Sequence, residues 1–144
     1  MDFLFQPQKL PLFFFQNAEY RVINPDPSTK PDYESYLHTL ADTGIEKANT
    51  VFCFETIQYV DNVKGFLQDL KQIMTNSGSL IITVPNLIPF SDDFEQDRYR
   101  YDAIEFERLL TEGGFTVSKI KPIGNAFTRK HESIRRKKGQ LSVF

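Results

Sequence analysis

The sequence predicts an α/β fold, a mostly parallel sheet flanked by helices, and three observations predict it. Residues 50–54, T-V-F-C-F, and 79–84, S-L-I-I-T-V, are apolar without alternation, as strands covered on both faces are. Between them Val63, Phe66, Leu67, Leu70, Ile73 and Met74 recur at i, i+3, i+4, i+7, i+10 and i+11, the stripe of a helix laid on a sheet. Strand, helix and strand in that order form a βαβ unit, which pairs its strands in parallel through a right-handed crossover.

The remaining elements follow in chain order. Residues 19–24, E-Y-R-V-I-N, read as a short strand that P-D-P-S-T-K-P terminates, and residues 33–41 read as a weak helix broken by Gly44. Asp61 or Asn62 can cap the striped helix, and Gly78 follows it. Residues 87–100 are loop-like. A second helix starts after Asp102, with Glu105 at the capping-box spacing, and points Ile104, Phe106, Leu109 and Leu110 inward until Gly113 and Gly114 end it. Residues 115–120, F-T-V-S-K-I, alternate like a strand with one covered face. The expected division is one domain over residues 1–128, then a basic tail over 129–144 whose last residues, Q-L-S-V-F, form a final edge strand.

With 144 residues the chain suits one core, since a domain of this size buries roughly 68–70% of its unfolded surface. It is 40% hydrophobic and 25% charged, an ordinary globular balance enriched in aromatics by fourteen Phe and six Tyr. A single cysteine, Cys53, excludes an internal disulfide framework, and with only two histidines no metal centre is expected. No run approaches the 18 or so apolar residues of a membrane span, and no signal peptide is evident, so a cytoplasmic location is expected. The net charge of −2 gives no overall pull toward nucleic acid. The cations at 129–138 read as a solvated tail, so nucleic acid is not an expected partner.

Three strings carry a more specific signal: V-F-C-F-E-T-I-Q-Y-V at 51–60, I-M-T-N-S-G-S-L-I-I-T-V-P-N at 73–86, and D-R-Y-R-Y-D at 97–102 leading to L-L-T-E-G-G-F-T-V at 109–117. In this order and spacing they resemble the class I S-adenosylmethionine (SAM) dependent methyltransferases, closest to the subgroup associated with sugar and polysaccharide pathways. Residues 18–28 and 31–40 are similar to that subgroup's second strand and the loop before its fourth strand. The resemblance spans about residues 10–124. It implies a Rossmann-like sheet, truncated at the N-terminal strand and helix, with SAM as the cofactor and a sugar or related small molecule as the substrate.

Carried over position by position, the resemblance assigns Glu55 as general base with Tyr59 beside it. Asn24, Asp26, Tyr36 and Cys53 fall at the cofactor, and Asn86, Tyr99, Arg100 and Tyr101 on the substrate side. Neither His38 nor His131 gains a role. The chain also departs from the pattern. It has no glycine before Gly44, where the family carries a glycine turn whose amides approach the cofactor. Asn24 stands where the family has the ribose-binding acid, Tyr36 where an acid reads the adenine, Asn49 for the acid that opens the fourth-strand motif, and Gln58–Tyr59 for a Glu–His pair.

Together these departures imply a degenerate methyltransferase-like domain with weak or no SAM binding. Two alternatives remain: a non-catalytic scaffold on the same sheet, or a methyltransferase half completed by a partner chain or a second copy of itself. The centre of the sheet, left open by the missing first strand, is expected to be filled by Phe13, Phe14 and Phe15 or by a partner.

Overall fold

The computed structural model describes residues 2–5, 18–36, 39–40, 44–86, 89–90, 95 and 97–123. Four strands, β1 (Asp2–Phe5), β2 (Tyr20–Val22), β3 (Ala48–Phe54) and β4 (Met74–Thr83), form one sheet in the order β2-β1-β3-β4. Every pairing in it is parallel. Helix α1 (Val63–Gln72) links β3 to β4, so the anticipated βαβ unit is present, and α2 (Ala103–Glu112) packs against α1. An isolated parallel bridge, Ile23 to Tyr33, extends the sheet beyond β2.

The register sorts the core. Val51 and Cys53 on β3 face one side with their partners Leu80 and Ile82 on β4, and these join Phe66, Leu67 and Leu70 of α1 and Phe106 and Leu110 of α2 in one apolar cluster. Val51, Cys53, Leu67 and Leu70 are completely buried. A buried leucine contributes about 1.5–3 kcal/mol by transfer alone, so this stripe, rather than helix propensity, holds α1 on the sheet.

Both helices begin on side-chain caps: Asn62 Oδ1 accepts from the Gly65 amide at 3.0 Å and Asp102 Oδ1 from the Glu105 amide at 2.8 Å. Where α2 ends, a Cβ on Gly113 would come within 2.6 Å of Leu67 Cδ1, so only glycine allows that end of α2 so close to α1.

Several expectations are corrected. The centre of the sheet is occupied by β1, Asp2–Phe5, hydrogen-bonded to β2 on one side and β3 on the other. The position expected to be open is therefore filled by Asp2–Phe5. Phe13, Phe14 and Phe15, expected there, lie outside the described residues. So do His38, His131 and the basic tail.

Residues 33–36 form no helix; Tyr33 bridges Ile23, and the Thr39 amide donates to the Tyr36 carbonyl at 3.1 Å. Ile104 is 82% exposed, because Phe106 and Leu110 define the inward stripe of α2 and Ile104 lies two residues off it. Residues 115–120 are not in a strand. Phe115 and Val117 do pack on the core, so their alternation records burial without a ladder. Residues 75–78 belong to an irregular start of β4 rather than to a helix end, with a register shift opposite Ala48 and Thr50.

Candidate functional site

Because all four strands run the same way, their carboxyl ends share one edge, and the residues that follow them gather there. From β1 the chain moves outward to β2 and then returns across β1 to β3, so the connections diverge at the junction of β1 and β3. In open α/β sheets the crevice at the carboxyl ends beside such a switch point is where ligands bind.

Glu55 is the first residue past β3 at this junction. Its φ is +48°, in the left-handed region that a side chain with Cβ seldom enters. Three interactions hold it there. Its amide donates to the Thr83 carbonyl at 3.2 Å and to Thr83 Oγ1 at 3.1 Å, and its own carbonyl accepts from Gln58 Nε2 at 2.8 Å. A residue kept in a costly conformation by surrounding bonds marks a position worth testing for function.

The 3-10 turn Ile57–Tyr59 follows. Gln58 is 2% exposed, and its Oε1 is buried without a hydrogen-bond partner. Its backbone carbonyl accepts from the amides of Arg98 and Tyr99, both at 3.3 Å, which ties the segment 97–101 to the end of β3. Sequence reasoning noted Gln58 only as a departure from a pattern. Its burial was the feature that could not be read from the string. Tyr59 is 37% exposed at the rim.

The segment 97–101 is built by its own contacts. Arg100 forks onto Asp97, Nη1 to Oδ1 at 2.5 Å and Nη2 to Oδ2 at 2.8 Å, donates also to the carbonyls of Tyr99 and Pro89, and stacks 4.5 Å from the Phe90 ring centre. Asp97 is 6% exposed, so this pair is largely out of water. Tyr99 donates its hydroxyl to Asp61 Oδ1 at 2.9 Å, and the carboxylate receiving that bond raises the Tyr99 phenol above its ordinary range. Tyr101 stacks between Tyr99 and Phe106, and burial pushes its phenol up as well.

At the end of β2, Asn24 Oδ1 accepts from the Asp26 amide at 2.8 Å, and Asp26 Oδ1 accepts from the Ser28 amide at 2.9 Å to cap the short turn Pro27–Thr29. The hydrogen bonds from Ser28 hold the exposed Asp26 carboxyl below its usual range. Both side chains are thus engaged in shaping their own loop. Tyr36 is 62% exposed. Asn86 is exposed after Pro85, just beyond β4.

The structure therefore brings Glu55, Gln58, Tyr59 and the segment 97–101 together at the end of β3, with Asn24 and Asp26 at the end of β2 and Asn86 past β4. It separates Cys53 from them. That side chain is wholly enclosed in the core, and desolvation pushes its thiol up to about 12, so in this structure it offers no surface to a ligand. Among the described residues no cluster of three or more His, Cys, Asp or Glu could hold a metal ion, and no helix is long and apolar enough to cross a membrane.

The single acceptor oxygen of the Asn24 amide is already used by Asp26, and the sequence between β1 and β2 holds no glycine. Compared with family models, with curated proteins and with solved structures, the chain matches none.

Proposed function

We propose that this chain is a degenerate class I SAM-dependent methyltransferase-like domain. In this reading the Rossmann-like sheet and its carboxyl-edge crevice persist while the determinants of strong SAM binding are lost. One observation carries the reading: a parallel β2-β1-β3-β4 sheet whose switch point is marked by Glu55, the residue that the motif resemblance independently singles out as the base. The strained φ of Glu55 supports it, because residues held in a costly backbone conformation cluster at functional sites.

The lost determinants are read from the same edge. Asn24 is committed to its Asx turn, Tyr36 is exposed where the resemblance expects an acid, and the β1–β2 connection lacks glycine. Losing two or three ligand partners at about 1–3 kcal/mol each removes most of a micromolar affinity. In this reading Tyr99, Arg100, Tyr101 and Asn86 line the acceptor side, and the retained role is binding a small hydroxylated molecule or a protein at this edge rather than methyl transfer. The occupied centre of the sheet argues against completion by a second chain.

Calorimetric titration of the chain with SAM tests the reading. The expected dissociation constant is no tighter than millimolar, about −4 kcal/mol.

A further inference from the structure

Strand β4 forms one lateral border of the sheet, and among the described residues no strand pairs with its outer side. Natural sheets blunt such a border with charges, proline or a very short strand. Strand β4 has ten residues, M-T-N-S-G-S-L-I-I-T, with no charge and no proline among them. Its start is irregular, opposite the register shift at Ala48 and Thr50, which leaves residues 79–83 as the regular stretch.

One bond fixes which backbone groups face outward. The Glu55 amide donates to the Thr83 carbonyl, so the backbone groups of Thr83, and in alternation those of Ile81 and Ser79, point toward β3. Those of Leu80 and Ile82 therefore point away from the sheet. The side chains of Leu80 and Ile82 pack on the core beneath α1, whereas Ile81 stands on the opposite face and is 46% exposed.

This stretch is complementary to itself. A two-fold axis at Ile81 sets Leu80 of one copy against Ile82 of the other. These are the residues with outward N–H and C=O groups, so each exchanges both backbone bonds with its opposite, as an antiparallel ladder requires. Ser79 then falls opposite Thr83, one small hydroxyl side chain against another. A charge at the midpoint would oppose itself; Ile81 instead meets its own copy and loses its exposure to water.

We propose that this border is a dimer interface, in which β4 pairs antiparallel with β4 of a second copy about a two-fold axis at Ile81, joining two sheets into one. The pairing leaves the centre of the sheet and the crevice at its carboxyl ends as they are, so it does not depend on the methyltransferase-like reading. One pair of border strands is a small interface, below about 1,200 Å², and the dimer is expected to exchange with single chains.

Sedimentation velocity of the full chain over a micromolar-to-submillimolar dilution series is expected to show a dimer that dissociates on dilution. Ile81→Lys, at an exposed side chain, sets two like charges at the axis and is expected to weaken the dimer several-fold while native circular dichroism is kept. In Ile81→Cys the paired Cα atoms would stand about 4.5 Å apart, close enough for a disulfide. Mild oxidation is then expected to link two copies, whereas Gln68→Cys, on the exposed side of α1, links several-fold less. Cys53 is enclosed in the core and does not compete. The unsubstituted chain gives an independent reading: hydrogen exchange at the Leu80 and Ile82 amides is expected to slow as concentration rises. Monomer mass throughout the series, a dimer indifferent to Ile81→Lys, or equal linking through position 68 would each overturn the proposal. So would Leu80 and Ile82 amides that exchange slowly in the monomer, because the chain would then cover this border itself.

Discussion

Gln58 Nε2 donates to the Glu55 carbonyl at 2.8 Å, so a completely enclosed amide fixes the backbone of the one residue that leaves β3 in a left-handed conformation. Gln58→Ala removes this part-buried hydrogen bond, a loss of about 0.5–1.5 kcal/mol. Gln58→Leu fills the space and also deletes the unpaired Oε1, so it should cost less than alanine. Urea denaturation of the two variants checks the order; alanine matching wild type would contradict it.

The strain at Glu55 has its own signature. Glycine enters the left-handed region freely, whereas a β-branched residue cannot without cost. Glu55→Gly should therefore be more stable than Glu55→Val by at least about 1–2 kcal/mol, read from thermal denaturation. Equal midpoints would show that the backbone there relaxes without penalty.

Arg100 and Asp97 form a pair with side-chain exposures of 13% and 3%. Arg100→Ala takes the guanidinium away from a buried carboxylate, and breaking such a pair costs about 3–5 kcal/mol. Arg100→Lys keeps the charge but loses the planar fork and the stack on Phe90, so an intermediate loss is expected. Chemical denaturation at low and high salt separates the two, because the enclosed pair should be little screened.

Burial of Cys53 couples stability to alkaline pH. Desolvation raises the folded thiol from 9.0 to about 12, so the unfolded chain ionises first. The stability this contributes is complete below the unfolded value and is lost as pH climbs from there toward 12, at up to about 1.4 kcal/mol per pH unit. Other groups titrate in that range, so the measured quantity is the difference from Cys53→Ala. Wild type should lose stability more steeply above pH 9, and parallel curves would contradict it.

What could be read in advance was what is local. The α1 stripe and the Asp102–Glu105 cap are set by neighbours three or four residues apart, and both occur as the string implies. Strands β3 and β4 are apolar enough to declare themselves. Strand β1 was missed because D-F-L-F is too short to show a period and its partners lie far along the chain. In residues 115–120 the alternation is real, yet periodicity reports which side is covered and not whether a ladder forms. At the edge, Glu55 stood out from the motif. The unpaired Gln58 Oε1 and the Asx turn that occupies Asn24 emerge only in three dimensions.

The most direct measurement of the central claim is a SAM titration of the isotopically labelled chain followed by amide chemical shifts, which reports affinity and location together. The account predicts saturation only in the millimolar range or weaker, with shifts confined to the amides at the carboxyl edge, Asn24, Glu55, Tyr59 and Asn86. Micromolar saturation would contradict the loss of the cofactor determinants and make Asp26 the ribose ligand. Shifts centred away from that edge, or none at tens of millimolar, would contradict the methyltransferase-like site itself.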